Sequence, residues 1–178
     1  LEDVLNKNKH KLRGILNGID YDVYDPAKSK SLFVNYSATS LEKKAENKQE
    51  LQKMLGLNVD AGAPLIAMIT RLVNHKGISL VRSAFNDIMN SGAQFVILGT
   101  GDADHENFFR HMQNLYGNRV HAVITFNKDL AQKIYAGADI FLMPSLSEPC
   151  GLSQMIALRY GTVPVVRTTG GLKDSIED

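Results

Sequence analysis

Five short apolar runs, each followed by a segment with helical spacing, constrain the fold of this chain more than any other feature. The runs are rich in Val, Ile and Leu, as expected for strands that are covered on both faces. They lie at residues 64–69, 94–98, 120–124, 139–143 and 163–166. Helical patterns follow the first four runs at residues 77–89, 107–115, 130–136 and 152–158, and a glycine turn that opens another helix follows the fifth. Strand and helix units in series predict an α/β fold with a doubly wound, parallel, Rossmann-like sheet.

Length, charge and composition limit the class of protein. The chain has 178 residues, of which 44% are hydrophobic, and this suffices for one ordinary core. Its net charge is +1 with both signs interspersed, so no nucleic-acid partner is expected. It contains no apolar run of about 18 residues, so no membrane partner is expected. The single cysteine and the absence of a signal-peptide pattern predict a cytoplasmic protein, and the lack of added targeting sequence favours a bacterial source.

The ends of the sequence lead us to expect a piece of a longer polypeptide. The chain begins at Leu1 without an initiator methionine and stops at Asp178 inside a helical pattern. Residues 1–26 are predicted to be an interdomain hinge or connector, because their second half is rich in Gly, Asn, Asp and Pro. Residues 27–178 are predicted to form the Rossmann-like domain, with a charged amphipathic helix over residues 39–56.

Sheets of this kind bind ligands at the carboxyl ends of their strands, so residues there are candidates for a site. Arg71 and Lys76 share the loop after the first strand, and an arginine fork beside a lysine point charge suits a diphosphate. The alternative is two solvated surface cations. Phe126 ends the third strand, where its ring either packs against the sheet or stacks on a nucleobase. Glu148 and Cys150 follow the fourth strand, directly before a helix.

A glycine turn after the fifth strand also leads directly from a strand into a helix. Thr169, Gly170 and Gly171 are predicted to offer backbone donors there, so that two helix N-termini face one anionic ligand. Glu148 has two interpretations: a favourable charge near a helix N-terminus, or an acceptor for sugar hydroxyls. A doubly wound domain without any site at this edge is the plain alternative.

Three other kinds of site are disfavoured. The dinucleotide fingerprint requires glycine at position 104, where this chain has Asp104, which argues against an NAD-dependent oxidoreductase. Asp102 and Asp104 have the spacing of metal-binding carboxylates, but no third hard ligand is identifiable nearby, so no metal is expected. A helix N-terminus lowers the pKa of a thiol, yet no histidine lies in a motif that pairs with Cys150, which argues against a cysteine protease.

Five motifs in consistent order carry a family resemblance. They are LNGIDYDVYDP at 16–26, ITRLVNHKG at 69–77, VILGTGD at 96–102, SEPCGLSQ at 147–154 and YGTVPVVRTTGGLKDS at 160–175. Together they resemble bacterial glycogen synthase and plant starch synthase, which add glucose from a nucleotide sugar to an α-1,4-glucan. The resemblance covers nearly the whole chain. It implies the carboxyl-terminal, donor-binding half of a two-domain GT-B glycosyltransferase.

The resemblance also implies a reaction and its catalytic residues. The reaction is a retaining transfer of glucose from ADP-glucose to the non-reducing end of the glucan, with ADP as the product and no metal. Arg71 and Lys76 are expected to grip the donor diphosphate and to stabilise the negative charge of the leaving group. Glu148 is the third catalytic residue; together with Cys150 and Gly151, it is expected to hold the glucosyl ring by its hydroxyls.

Further binding residues follow from the same resemblance. Leu152 and Ser153 are expected to reach the phosphate from the end of a helix. Phe126 stands where the family has an aromatic, usually tyrosine, that stacks on the base, and Asn17 at the hinge is a sugar-contact candidate. Because Phe126 can stack on any base, the residues leave the choice between ADP and UDP open.

The family's amino-terminal domain supplies the glucan groove, so the chain alone is expected to bind nucleotide weakly and to be inactive. Related retaining transferases, such as sucrose- or trehalose-forming enzymes, carry a second glutamate eight residues after the first, where this chain has Ile156. A nucleotide-sugar sensor with a decayed site would have lost Arg71, Lys76 or Glu148, and all three are present.

Overall fold

The computed structural model describes residues 1–177 and contains one five-stranded sheet. The strands are β1 (Leu65–Ile69), β2 (Gln94–Leu98), β3 (Val120–Val123), β4 (Ile140–Met143) and β5 (Val163–Val166). All neighbours pair in parallel, in the order β3-β2-β1-β4-β5. The predicted doubly wound parallel sheet is therefore confirmed, and each strand agrees with its prediction to within one residue at each end.

Helices connect the strands and flank the sheet. They are α1 (Glu2–Lys7), α2 (Lys43–Met54), α3 (Ile78–Asn90), α4 (Ala103–Tyr116), α5 (Lys128–Gly137), α6 (Ser153–Arg159) and α7 (Gly170–Ser175). Short 3-10 turns lie at Lys9–Lys11, Asn74–Lys76 and Gly117–Arg119. None of the helices within residues 1–177 is long and apolar enough to cross a membrane.

Helix α2 begins later than the predicted helix over residues 39–56. The serines before it form their own turn, in which the Ser37 N–H donates to Ser40 Oγ at 2.9 Å and the Ser40 N–H donates to Ser37 O at 3.0 Å. Serine side chains that bond to nearby backbone groups compete with helix formation. The first helical residue is therefore Lys43.

Alternating side chains of β1 contribute to two hydrophobic cores, one on each face of the sheet. Leu65 and Ala67 pack with residues of α2 and α5, whereas Met68 packs with residues of α3 and α4. On the face that carries Met68, the rings of Phe85 and Phe95 meet edge to face, with centroids 5.1 Å apart. Full burial of each such side chain stabilises the folded protein by roughly 1.5–3 kcal/mol. These two layers hold the loops at the carboxyl ends of the strands.

The last part of the predicted connector folds against the domain. The Arg159 guanidinium, at the end of α6, donates to Tyr24 O at 3.4 Å and to the Asp25 carboxylate at 3.3 Å. Its carbon lies 4.9 Å from the centre of the Tyr21 ring. Residues 20–26 thus become a wall beside the sheet edge, and the boundary at residue 26 stays a prediction.

A partly buried lysine joins α2 to the carboxyl end of α5. Lys44 Nζ donates to Ala136 O at 2.8 Å, to Tyr135 O at 3.2 Å and to Thr162 Oγ1 at 2.7 Å. Burial lowers the pKa of the Lys44 ammonium to about 7, the Asp139 carboxylate raises it, and Lys48 lowers it. The folded state therefore prefers the neutral amine more strongly than the unfolded chain does.

This lysine should make the protein more stable as the pH rises above neutrality. Between the folded pKa and the unfolded value of about 10.4, the unfolded chain binds more protons at this site, so alkali favours folding. From about pH 7 to about pH 9 the free energy of unfolding in urea should rise by about 2 kcal/mol more than in Lys44→Met. Lys43→Met, at an exposed neighbour on the same helix, should follow the wild-type profile; equal slopes in all three proteins would contradict the prediction.

Candidate functional site

Two adjoining cavities open at the carboxyl ends of the strands, where β1 and β4 lie side by side. This is the point at which the order of the strands reverses, the usual ligand position in such sheets. The small cavity has a volume of about 220 Å³ and the large cavity about 430 Å³. The residues that line both are Ile69, Thr70, Arg71, Leu152 and Ser153. One elongated ligand can therefore occupy both cavities.

An ion pair lies in the wall of the small cavity. Lys76 lies in the turn after β1 and Glu148 lies in the loop after β4. The distance from Lys76 Nζ to Glu148 Oε2 is 2.5 Å. Their side chains are only 17% and 10% exposed, so each charge depends on the other for its compensation. Arg71 is exposed where the two cavities meet. The structure thus brings together the three residues that were predicted to be catalytic.

The backbone fixes the two loops that carry this ion pair. The Leu146 N–H donates to His75 O at 2.9 Å. Gly77 follows Lys76 with a φ of +75°, and a Cβ atom at this position would stand 2.0 Å from Pro144 O. No other residue type leaves room for this close approach. Lys76 is therefore held beside Glu148 by the packing of its own loop.

The loop from Glu148 to Gly151 is held from behind by Gln154 of α6. This fully buried side chain donates from Nε2 to Cys150 O and Gly151 O, both at 3.1 Å, and lies 3.0 Å from Ser175 Oγ of α7. Gly151 lines the small cavity, whereas Cys150 is half-buried behind it. Sequence reasoning missed Gln154 because a glutamine in a helical pattern gives no sign of such a role.

The turn from Thr169 to Gly171 packs against the Glu148 loop and lines neither cavity. The Thr169 N–H donates to Arg167 O at 2.8 Å, and the Gly171 N–H donates to Glu148 O at 3.0 Å. A Cβ atom on Gly170 or Gly171 would stand 2.1 Å from Glu148 O or 2.4 Å from Cys150 Cα. The amides of Thr169 and Gly171 thus have partners within these loops, and a contact of Thr169, Gly170 and Gly171 with an anionic ligand stays a prediction.

Asn17 is the predicted site residue that lies farthest from this arrangement in the sequence. It is exposed, in an irregular segment, and lines neither cavity. Its contact with sugar stays a prediction. Leu152 and Ser153, by contrast, line both cavities at the start of α6.

Six parts of the chain line the large cavity: the connector, the carboxyl ends of β1 and β2 with the loops that follow them, the loop after β3, and the helices α5 and α6. Phe126, after β3, stands at its rim and is 81% exposed. Tyr24 contributes from the connector, and Gln132 and Tyr135 contribute from α5. The volume of about 430 Å³ lies in the range of small-molecule sites, roughly 300–1,000 Å³. Tyr24, Gln132 and Tyr135 were not predicted; the only signal for the last two was their place in the helix that follows Phe126.

The two aspartates after β2 have other roles. The Asp104 carboxylate pairs with the Arg82 guanidinium, whose hydrogen bond lowers the pKa of that carboxyl. The backbone N–H of Asp102 donates to Leu72 O at 2.8 Å. Within residues 1–177, no group of three or more His, Cys, Asp or Glu side chains is placed to hold a metal ion.

Comparison with known proteins gives both sequence and structural relatives. The sequence profile of the family "Glycosyl transferases group 1" matches residues 47–178. A glycogen synthase of Clostridium beijerinckii is 53% identical over 176 residues, which are 99% of this chain and 37% of that protein. A glycogen synthase of Kosmotoga olearia is 53% identical over 178 residues, 100% of this chain and again 37% of that protein.

A solved structure agrees with these sequence relatives. The catalytic domain of starch synthase IV from Arabidopsis thaliana, bound to ADP and acarbose, matches with a TM-score of 0.92 and 40% identity over 99% of this chain and 36% of that chain. The resemblance that the motifs predicted is confirmed, although the chain spans only 37% of the length of these glycogen synthases. Since the family profile covers most of its residues, the chain belongs to the glycosyl transferases of group 1.

Proposed function

We propose that this chain is the donor-binding half of a glycogen or starch synthase. The reaction is the retaining transfer of glucose from ADP-glucose to the non-reducing end of an α-1,4-glucan. The observation that carries the proposal is the junction of the two cavities, where Arg71 stands beside the pair of Lys76 and Glu148. The names of the similar proteins, glycogen synthase and starch synthase, support the same reaction.

The diphosphate of the donor fits the junction of the cavities. Arg71 offers a planar fork and Lys76 a compact charge, which together match phosphate oxygens. As the bond to glucose breaks, negative charge grows on the departing ADP, and fixed cations stabilise that charge more than they stabilise the intact donor. Charge stabilisation of the leaving group therefore accounts for the catalysis without a metal ion.

The glucosyl group fits the small cavity beside Glu148. In the free protein Glu148 and Lys76 neutralise each other. When the donor enters, phosphate oxygens become partners of Lys76 and sugar hydroxyls become partners of Glu148, so that neither charge is left buried and unpaired. Gly151 completes the wall that positions the ring, whereas Cys150 lines neither cavity and its contact with the ring stays a prediction.

The nucleoside fits the large cavity, with its base against Phe126. The Arabidopsis thaliana starch synthase structure contains ADP, which supports ADP over UDP as the nucleotide. We assign the glucan acceptor to a further domain joined through residues 1–26, because the chain spans 37% of the length of its bacterial relatives. Those relatives also support a bacterial enzyme, and its cytoplasmic location stays a prediction.

Calorimetric titration with ADP and with UDP tests the nucleotide assignment. ADP should bind more tightly than UDP, and Phe126→Ala should weaken ADP binding about fivefold or more, because stacking on an aromatic ring contributes roughly 1–3 kcal/mol per base. Inorganic pyrophosphate should bind equally to both proteins.

Leu115→Ala removes another exposed apolar side chain, on α4 and away from both cavities, and serves as the control. It should bind ADP like the wild type. Equal affinity of wild type and Phe126→Ala for ADP, or a preference for UDP, would overturn the nucleotide assignment.

A further inference from the structure

The side chain of Gln132 is held in one orientation where α5 borders the large cavity. Its Oε1 accepts a hydrogen bond from Ser29 Oγ at 2.5 Å and another from the Tyr160 hydroxyl at 3.2 Å. Ser29 lies in the segment before α2 and Tyr160 directly follows α6. Three separate parts of the chain therefore converge on this one carboxamide.

Both hydroxyls are fixed as donors to the Gln132 oxygen. Ser29 Oγ already accepts the N–H of Ser31 at 3.2 Å, which leaves its proton for Gln132. Tyr160 is 0% exposed, and burial raises the pKa of its hydroxyl to about 12, so the proton stays in place at neutral pH. A carboxamide oxygen has two lone pairs, and both are used here.

The other half of the carboxamide is the NH2 group. None of the hydrogen bonds found within residues 1–177 uses Gln132 Nε2, and the side chain is only half-buried on the wall of the large cavity. The apolar side chains of that wall include Ile69, Ala131 and Ile156, which cannot accept a hydrogen bond. A lone donor in such surroundings favours a ligand that presents an acceptor to it.

We propose that Gln132 is a specificity-determining residue of the nucleotide site, and that its NH2 group donates to a ring nitrogen of a purine base. This inference rests on the proposed function, in which the base occupies the large cavity. Gln132 lines the cavity that holds Phe126 and is absent from the wall of the cavity that holds Lys76 and Glu148. Gln132 therefore borders the space proposed for the nucleoside and not the cavity that contains the ion pair.

The chemistry of the bases explains why the ring nitrogens are the target. Adenine carries unprotonated N1, N3 and N7, all of which accept hydrogen bonds. In uracil the free ring nitrogen N3 carries a proton, and the acceptors are the exocyclic oxygens O2 and O4, which lie outside the ring. Because the Gln132 oxygen is occupied, the side chain cannot read the adenine amino group in the bidentate manner that glutamine uses elsewhere. Recognition through Gln132 thus depends on one acceptor atom.

Two variants separate the donor from the rest of the side chain. Gln132→Glu keeps the shape and both hydroxyl contacts but replaces the NH2 donor with an acceptor, and Gln132→Met removes the donor without adding charge. Each should bind ADP at least fivefold more weakly than the wild type in calorimetric titrations of the protein. Inorganic pyrophosphate should bind all three proteins equally.

Deaza analogues of ADP, in which one ring nitrogen is replaced by carbon, identify the nitrogen that accepts the hydrogen bond from Gln132. Among 1-deaza-, 3-deaza- and 7-deaza-ADP, one should bind the wild type at least fivefold more weakly than ADP does. Gln132→Met should bind that analogue and ADP with equal affinity, because this variant lacks the NH2 group that would donate to the missing nitrogen. Gln113→Met changes a glutamine on α4 outside both cavities and is the matched control.

The possible results discriminate between the two proposals. If the wild type binds ADP and both Gln132 variants bind it equally well, Gln132 only packs and the inference is wrong. If the affinities of the variants for ADP and for pyrophosphate fall by the same factor, the substitutions act on the fold or the charge of the protein, and the inference is again wrong. If the wild type binds no ADP at all, the proposed function fails and this inference fails with it.

Discussion

Replacing Arg71 or Lys76 by alanine should lower glucosyl transfer at least tenfold. The assay is the incorporation of glucose from ADP-glucose into glycogen by the full-length enzyme that contains this chain. Each residue is expected to supply a charged hydrogen bond to the leaving diphosphate, and such a bond contributes roughly 1.5–3 kcal/mol. A loss of this size corresponds to a rate reduction of roughly tenfold to a hundredfold.

The two variants should differ in stability even though both lose activity. Lys76→Ala leaves the nearly buried Glu148 carboxylate without its partner, and an uncompensated buried charge destabilises a protein by roughly 3–5 kcal/mol. Arg71 is exposed, so its removal should change the free energy of unfolding by less than about 0.5 kcal/mol. Urea unfolding of both variants measures this difference.

Arg110→Ala is the control for the loss of a cation. Arg110 is a half-exposed residue of α4 that pairs with Glu106 and lies outside both cavities. Its variant should keep wild-type turnover. The phosphate role would be refuted by wild-type turnover in Arg71→Ala, or by an equal loss in Arg110→Ala.

The sequence predicts the sheet and the charged part of the site for the same physical reason. Buried parallel strands need continuous apolar runs, so their positions can be read with little error. In a doubly wound sheet the loops after the strands must meet at one edge. Arg71 and Lys76 lie in the loop after β1 and Glu148 lies in the loop after β4, so the topology brings all three to the same edge.

The wall of the large cavity could not be predicted in this way. Tyr24 reaches the large cavity because Arg159, far away in the sequence, holds the connector against the domain. Gln132 lies on a helix whose pattern only shows which face is apolar. Such contacts depend on long-range packing, and no local pattern of residue types reports them.

The glycine turn shows a different limit. Paired glycines at a helix start indicate either free amides for an anion or a close approach of two backbones. The sequence of Gly170 and Gly171 fits both. Only the position of the Glu148 loop, which accepts the Gly171 N–H at 3.0 Å, shows that two backbones approach closely here.

Gly77→Ala should be among the most destabilising single substitutions in this chain. Alanine would have to keep a φ of +75°, which costs roughly 1–2 kcal/mol, and its Cβ would stand 2.0 Å from Pro144 O. Because the obstacle is backbone and cannot rotate away, overpacking should add roughly 1–3 kcal/mol or more. We expect a loss of about 2 to 5 kcal/mol in the free energy of unfolding, measured in urea.

Gly56→Ala isolates the contribution of backbone strain. Gly56 has a φ of +67°, similar to that of Gly77, but a Cβ atom there meets nothing within 4 Å. Its variant should therefore lose only roughly 1–2 kcal/mol and keep ADP binding. If the two substitutions destabilise the protein equally, the contact between Gly77 and Pro144 does not constrain the loop.

The functional consequence of Gly77→Ala follows from what this contact positions. The loops of Lys76 and Glu148 meet at Gly77 and Pro144 and at the hydrogen bond from the Leu146 N–H to His75 O, 2.9 Å long. Separating them by the width of a methyl group would lengthen the ion pair of 2.5 Å. Folded Gly77→Ala should then bind ADP more weakly than folded Gly56→Ala. Equal affinities would mean that the ligand, and not the packing of the loops, brings Lys76 into place.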